Sequence, residues 1–277
     1  HTTGEVGARG VAPAVGEHLG VVAEAVFQGA AVAEGQPAIE EAVESLGVVA
    51  SGAHPHGHEE VHGGLHRFEN GKFVVHKKIK YRINVIHKDK KGYLWAGTFG
   101  GGLFRFKDGN FEVFDKNRGV SGNYIASIYE DRDGGMWFAN TGFGLTRYVN
   151  GRFLTVSKRN GLPDNAVHAF LEDDKYNLWM SSNRGIFYID HNDVRQFDAG
   201  TIKNLHFFQF GIEDGMKSLE TNGGAKPSGW KDRDGKLWFP STKGLCAVDP
   251  ENMQSNIPPP PVKIESILSK RHTVDVH

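Results

Sequence analysis

The sequence predicts an all-β fold that is built from repeated sheets of four short antiparallel strands. A tryptophan recurs every 42 residues, at Trp95, Trp137 and Trp179, and Trp238 follows after a further 59 residues. An aspartate precedes each of these tryptophans by six residues. Glycine accounts for 36 of the 277 residues, a share that indicates many tight turns between short elements.

The first three strands of each unit follow from the positions around the tryptophan. The segments that end at the tryptophan hold the first strand, the aspartate turn and the start of the second strand; they are 86–95, 128–137, 170–179 and 229–238. A third strand begins at a glycine followed by an aliphatic residue, and these residues are Leu103, Leu145, Ile186 and Leu245. Apolar and polar side chains alternate along 103–106 and 144–148, which is the pattern of a strand with one buried face.

The fourth strand follows a tight turn in three places. Asn70-Gly71, Asp108-Gly109 and Asn150-Gly151 are dipeptides that accept the positive φ of a two-residue hairpin. The fourth unit has His191-Asn192-Asp193-Val194 at this place instead. Each unit is therefore predicted to contain four strands.

Repeated four-stranded units of this length are typical of β-propeller blades. A single sheet of this size cannot bury both of its faces, so neighbouring units must stack against one another. About four blades are visible, which corresponds to a partial propeller. We expect each repeated tryptophan to pack between adjacent blades, and each repeated aspartate to cap the turn after the innermost strand by accepting backbone N–H groups.

The units share the pattern E-D-x-x-G-x-L-W, followed by G-L-x-R-F and x-G-x-F, and residues 161–165 read G-L-P-D-N between two units. Over residues 65 to about 250 this pattern resembles the two-component regulator propeller repeat of bacterial sensor proteins. The first unit departs from the pattern, because it is four residues shorter between Phe73 and Trp95.

The resemblance implies a ligand-sensing extracytoplasmic region of a bacterial two-component receptor, in the periplasmic part of an inner-membrane protein. Such receptors continue into a membrane helix and a cytoplasmic histidine kinase or diguanylate cyclase, and they are expected to signal as homodimers. The residues present here are expected to have no catalytic activity and to need no cofactor or metal. The alternative is a free periplasmic or secreted propeller that acts as a carbohydrate-binding module or as a lyase, since the same repeats would serve either role.

Three segments are predicted along the chain: 1–64, 65–255 and 256–277. Residues 1–64 lack Lys, Asp, Asn, Tyr, Trp, Met and Cys and are rich in Ala, Gly, Val, Glu and His. We expect this low-complexity segment to be disordered or to be the product of translation in the wrong frame. Residues 58–62 match the zinc motif H-E-x-x-H, but Pro55, Gly57 and two following glycines oppose the helix that this motif requires.

The C-terminal segment begins with a proline run at 258–261. In the resembled family such a run opens an immunoglobulin-like domain with recurring tyrosines, the Y_Y_Y domain, and Val262 to Leu268 would be its first strand. Neighbouring blades and this domain are therefore expected partners of the propeller within a longer chain. The N-terminal His1 likewise suggests a fragment.

The overall charge argues against a nucleic-acid partner. The formal net charge is −1, and nine Glu against the single Arg9 in residues 1–64 leave the repeats only mildly basic. Cys246 is the only cysteine, so an internal disulfide is excluded. The sequence has neither an 18-residue apolar run nor the basic start of a signal peptide.

A small-molecule or oligosaccharide ligand is expected to bind the insertion of the fourth unit. This unit has about 17 extra residues before its tryptophan, placed between Ala199 and Trp230, and connecting loops are where propellers carry function. We expect Asn222 and Lys226 to contact sugar hydroxyls or a carboxylate, and Trp230 to stack on a sugar ring. The alternative for Trp230 is simple packing, because it aligns with inner-strand positions of the other units.

Overall fold

A computed structural model describes residues 49–51, 64–69, 72–224, 227–253, 266–269 and 272–275. Side chains are described for Leu65 and for residues 77–224 and 227–253. Within these ranges the chain forms strands β1 to β20 and one α-helix, α1, and the strands pair in antiparallel sheets. The prediction of an all-β fold with blade-like sheets is confirmed.

Three consecutive sheets have four strands in sequential order, and we call them blades 1 to 3. Blade 1 consists of β4 (Arg82–Lys88), β5 (Leu94–Phe99), β6 (Leu103–Lys107) and β7 (Asn110–Phe114). Blade 2 consists of β8 (Ile125–Glu130), β9 (Met136–Asn140), β10 (Gly144–Val149) and β11 (Arg152–Val156). Blade 3 consists of β12 (Val167–Glu172), β13 (Leu178–Ser182), β14 (Gly185–Ile189) and β15 (Phe207–Phe210), with α1 (His191–Asp198) between its last two strands.

Smaller sheets flank these blades in the chain. The sheet before blade 1 consists of β1 (Val49–Ser51), β2 (Gly64–Glu69) and β3 (Lys72–Lys78). Blade 4 has three described strands, β16 (Trp230–Lys231), β17 (Leu237–Ser241) and β18 (Gly244–Val248). A final hairpin consists of β19 (Ser266–Ser269) and β20 (His272–Asp275).

The predicted hairpin turns are present between the third and fourth strands of blades 1 and 2. Asp108 and Gly109 have φ angles of 49° and 82°, and Asn150 and Gly151 have φ angles of 50° and 76°. Two consecutive positive φ angles define the turn that matches the twist of a hairpin, and Asp-Gly and Asn-Gly tolerate them best. The local sequence therefore determines the register of these strands.

The first strand of each complete blade is interrupted at the same position. Its pairing with the second strand shifts register around Asn84, Ala126 and His168, which lie 42 residues apart. A shift of this kind is a β-bulge, which bends the strand and increases its twist.

The hydrophobic core lies between the blades, as the repeat predicts. Trp95, Trp137 and Trp179 are each at most 1% exposed. The ring of Trp95 lies 5.2 Å from that of Phe138 in blade 2. Trp137 shares a cluster with blade 3 residues that include Met180, and Trp179 shares one with blade 4 residues. The expectation that the tryptophans pack between adjacent blades is confirmed for these three, whereas Trp238 in blade 4 is only partly buried.

Blade 3 differs from the prediction in the connection between its third and fourth strands. The sequence predicts the hairpin turn of the fourth unit here, at His191. The segment that begins at His191 forms helix α1 rather than a hairpin turn, and the fourth strand is Phe207–Phe210. The reason is local, because Asp190 caps the helix by accepting the N–H of Asn192 at 2.8 Å, and no glycine is available for a two-residue turn. Most of the extra length that the sequence assigns to the fourth unit therefore lies inside blade 3, between its third and fourth strands.

Several sequence predictions fall mainly outside the described residues. This holds for segment 1–64 and its H-E-x-x-H motif, although Val49–Ser51 and Gly64 belong to β1 and β2. It also holds for the proline run. The strand expected at Val262 to Leu268 is described only from Ser266, where β19 pairs with β20. The assignment to an immunoglobulin-like domain stays a prediction.

Candidate functional site

Each blade contains the same hydrogen-bonded pair of aspartate and tryptophan, six residues apart. The indole Nε1 donates to the aspartate Oδ2 over 2.8 Å in Trp95–Asp89, 3.1 Å in Trp137–Asp131, 2.8 Å in Trp179–Asp173 and 2.7 Å in Trp238–Asp232. The pair satisfies the one polar group of a tryptophan that is otherwise buried among apolar side chains.

The other carboxylate oxygen caps the turn that follows the first strand. In blade 3, Asp173 Oδ1 accepts the backbone N–H groups of Lys175 and Asn177, each at 2.9 Å. Blade 1 repeats this arrangement, since Asp89 Oδ1 accepts the N–H of Lys91 at 3.0 Å and that of Tyr93 at 2.8 Å. The predicted capping role of the repeated aspartate is confirmed.

The glutamate that precedes the aspartate in two blades connects each blade to the previous one. Glu130 Oε2 accepts the backbone N–H of Lys90 in blade 1 at 2.9 Å, and Glu172 Oε2 accepts that of Arg132 in blade 2 at 3.1 Å. In blade 4 a lysine occupies the same position, and Lys231 pairs with Asp174 over 2.7 Å. The sequence shows this glutamate in the E-D pattern, but its role becomes clear only from the stacked blades.

A buried arginine joins blade 2 to helix α1. The Arg147 side chain is 1% exposed, pairs with Asp131 and Asp198, and lies 4.6 Å above the ring of Trp137. Burial alone would lower the pKa of Arg147, but the hydrogen bonds that its guanidinium donates to Asp198 and the charge of Asp131 outweigh it and raise the pKa. A Cβ atom at Gly135 would lie 2.2 Å from this guanidinium, so a side chain at this position would displace it.

Arg105 occupies the corresponding position in blade 1 and has different partners. It donates to Glu112 from Nε at 2.9 Å and to the Tyr148 hydroxyl from Nη1 at 2.9 Å. Together with Asp89 and Tyr93 it lines a cavity of about 250 Å³ between blades 1 and 2. Because the guanidinium and the aspartate already have partners within the protein, we interpret this cavity as part of the blade interface.

Two of the three residues of the predicted ligand site, Asn222 and Trp230, lie within the described residues. Asn222 is exposed, and its Oδ1 accepts the backbone N–H of Gly224 at 2.9 Å, so the side chain caps a local turn. Lys226 lies outside the described residues. Trp230 belongs to β16, pairs with Trp238 across the sheet and is 39% exposed.

Trp230 lines an apolar cavity of about 350 Å³ on the outer face of blade 4, together with Pro227, Gly229, Trp238, Pro240 and Leu245. Leu245 is 69% exposed, whereas the equivalent residues of blades 1 to 3 are fully buried; these are Leu103, Leu145 and Ile186. The cavity therefore lies on the face of blade 4 that corresponds to the faces by which blades 1 to 3 pack against the next blade. This geometry favours the packing interpretation of Trp230.

Another exposed group of side chains escaped the sequence prediction. Phe99, Tyr124 and Phe143 are 57%, 39% and 42% exposed at the loop end of blades 1 and 2. An alignment of the units could have revealed them. Each of these turn positions has an aromatic residue at the junction of blades 1 and 2 but not at the junction of blades 2 and 3.

The stacked four-stranded sheets with their shared interfaces define the class of this molecule as a β-propeller fold. Residues 119–142 and 161–184 match the family model of the two-component regulator propeller. Each matched segment runs from the entry loop through the first two strands of its blade, and contains the Asp–Trp pair. Two segments of the chain, in consecutive blades, are therefore similar to the two-component regulator propeller repeat.

Solved structures of similar fold include the following bacterial proteins. One is the extracellular domain of BT3049 from B. thetaiotaomicron, described as a hybrid two-component system, with 24% identity and a TM-score of 0.59 over 83% of this chain and 32% of that chain. The extracellular domain of BT4673 from the same organism has 21% identity and a TM-score of 0.54 over 75% of this chain and 29% of that chain. PorZ of Porphyromonas gingivalis, a surface component of the type-IX secretion system, has 14% identity and a TM-score of 0.51 over 73% of this chain and 30% of that chain.

The chain spans about a third of the length of these domains. No curated protein sequence matched it. Within the described ranges, no helix has the length and apolar character needed to span a membrane.

Proposed function

We propose that this propeller is part of the extracytoplasmic sensor region of a bacterial two-component receptor and that it recognises a carbohydrate or another small molecule. The observation that carries the proposal is the match of two consecutive blades to the two-component regulator propeller repeat. The similar fold of two extracellular domains from hybrid two-component systems supports the same role.

The geometry is consistent with a rigid scaffold that presents loops. The blades are held together by apolar interfaces and by side-chain contacts between successive blades, such as Glu130 with Lys90 and Glu172 with Arg132. Loops on a rigid scaffold are suited to ligand recognition, because little conformational entropy is lost when a ligand binds. In the parent protein, binding would alter the relation between two membrane helices of a homodimer and so control a histidine kinase or a diguanylate cyclase.

The test is the output of the natural full-length protein in membrane vesicles that expose its extracytoplasmic side. Phosphorylation or cyclic dinucleotide production is measured while a panel of oligosaccharides is added outside. The proposal predicts that at least one member changes the output, and that the same member has no effect when added only to the cytoplasmic side. An output that no member changes from either side would overturn the recognition of a carbohydrate.

A further inference from the structure

Three exposed aromatic side chains form one surface at the loop end of blades 1 and 2. Phe99 ends β5, Tyr124 directly precedes β8, and Phe143 lies in the turn between β9 and β10. The rings of Phe99 and Tyr124 meet edge to face with centroids 4.6 Å apart. Phe143 packs against Gly122, two residues before Tyr124, where an added Cβ atom would lie 2.8 Å from the ring. We call these three residues the aromatic surface.

The fold itself does not require the aromatic surface. At the next junction, between blades 2 and 3, the corresponding residues are Thr141, Ala166 and Arg184. That junction packs equally well, with Trp137 and Met180 fully buried. Large apolar side chains that are half exposed, clustered and dispensable for packing mark an interaction site.

The backbone beneath the aromatic surface is firmly held. Phe99 and Tyr124 form a β-bridge between the two blades. The N–H groups of Gly100 and Gly102 both donate to the carbonyl of Asn123, at 2.9 and 3.1 Å. The rings are therefore presented by a rigid support rather than by a loose loop.

Two cations, Arg82 and Lys116, flank the aromatic surface. Arg82 is exposed and is the cross-strand partner of Phe99, so both side chains project from the same face of the sheet. The Nζ of Lys116 lies 4.4 Å from the centroid of the Phe143 ring. Within the described part of the chain neither cation forms an ion pair, and the neighbouring Asp115 accepts the N–H of Asn117 at 2.9 Å.

We propose that the aromatic surface, together with Arg82 and Lys116, binds an anionic oligosaccharide. The sugar rings would stack on the aromatic side chains, and the acidic groups would pair with the two cations. This inference rests on the proposed sensor function and names its ligand class. It also moves the ligand site away from Trp230 and the outer face of blade 4.

The residue types support an acidic sugar over a neutral one. Aromatic rings offer flat apolar faces that suit the C–H face of a pyranose, and they account for the stacking part of recognition. A guanidinium matches a carboxylate or a sulfate with two parallel hydrogen bonds, and an ammonium adds a point charge. A neutral sugar would leave both cations unused.

The test is a binding measurement with the full 277-residue chain, by calorimetry or on an immobilised surface. The panel contains oligosaccharides of galacturonate, glucuronate and mannuronate, sulfated galactans, and neutral glucans and galactans of equal length. We expect binding of at least one acidic member, and its affinity should fall as salt rises because the ion pairs are exposed. Comparing carboxylated with sulfated members identifies the acidic group.

Variants locate the site. Phe99→Ala and Tyr124→Ala should each weaken binding about tenfold through lost stacking, while Tyr124→Phe should retain it. Arg82→Gln with Lys116→Gln should remove most of the salt dependence. Phe208→Ala, at a 50% exposed aromatic residue on β15, is the matched control and should bind as the parent does. Unchanged unfolding midpoints show that each variant is folded.

The outcomes separate this inference from the sensor function. Binding that survives the Phe99 and Tyr124 substitutions would overturn the site, and equal binding of neutral sugars would overturn the acidic class. Absence of binding to every panel member would overturn the inference as a whole. Each of these results leaves the receptor output measured in vesicles as an independent test of the sensor function.

Discussion

At the scale of single residues, the aspartate and tryptophan of each blade act as one unit. The carboxylate holds the turn with one oxygen and the indole N–H with the other, so the turn and the interface between blades depend on each other. The spacing of the pair was visible in the sequence, and it predicted the turn cap and the packing of the tryptophan. The hydrogen bond between the two side chains was not predicted, because spacing alone does not show where an indole N–H points.

Removing the carboxylate should affect a buried pair more than a partly buried one. Asp173 is 3% exposed, and Asp173→Ala would leave two backbone N–H groups and the Trp179 indole without their acceptor. We expect a loss of about 3 kcal/mol in the free energy of unfolding, measured by urea denaturation. Asp232→Ala removes the same contacts at a partly buried site and is the matched control. Equal losses in both variants would contradict this account.

A partly buried histidine between blades 1 and 2 should make stability depend on pH. Burial lowers the pKa of His87 below its ordinary value, although the nearby Glu130 carboxylate opposes this effect. The unfolded chain then binds more protons than the folded chain as pH falls through about 6.5, so the free energy of unfolding decreases with falling pH. His87→Gln should reduce this decrease between about pH 7 and pH 5 in denaturation measurements. His206→Gln, which removes an exposed imidazole, is the control, and an unchanged slope in His87→Gln would refute the assignment.

At the scale of elements, helix α1 is the main departure of blade 3 from the repeat. Val194 and Phe197 are buried against the core between blades 2 and 3, and Asp198 reaches the guanidinium of Arg147 in blade 2. The sequence revealed the extra length but placed it after the fourth strand, between Ala199 and Trp230. The error arose because a short amphipathic helix inside a hairpin has no equivalent in the other units, so the alignment assigned a turn to its first residues.

Breaking the contact between the helix and blade 2 should loosen the helix. Asp198→Ala leaves the buried Arg147 with Asp131 as its remaining carboxylate partner, and we expect a loss of about 2 kcal/mol in the free energy of unfolding. Hydrogen exchange of amides 191–205 should speed up more than that of the blade strands. Asp193→Ala, on the same helix but paired with the exposed His206, is the control. Identical exchange rates in the two variants would show that Asp198 does not hold the helix.

At the scale of the whole molecule, stability comes from interfaces between successive blades rather than from any single sheet. Each blade covers the tryptophan of the blade before it, and blade 4 leaves its own equivalent face open, with Leu245 and Trp230 exposed. The sequence predicted the blade architecture well, because period, turn dipeptides and repeated aspartate agree. It did not point to the aromatic surface, since exposure and proximity of side chains from different loops do not follow from a repeat.

The open face of blade 4 should promote self-association of the isolated chain. Leu245→Lys places a charge at a 69% exposed position and should reduce concentration-dependent association, measured by sedimentation velocity, without lowering the unfolding midpoint. Leu219→Lys, at a 40% exposed position in the loop between blades 3 and 4, is the control and should not reduce association. If both lysine variants associate as the parent chain does, the open face is not the contact surface.

The most direct test of the sensor assignment is the sequence of the genomic locus on both sides of this coding region. The account predicts that the frame continues through further propeller repeats or an immunoglobulin-like domain, then a stretch of about 20 apolar residues, and then a histidine kinase or a diguanylate cyclase. A frame that ends in a stop codon shortly after His277, without a membrane segment, would contradict the receptor and leave a free propeller in its place.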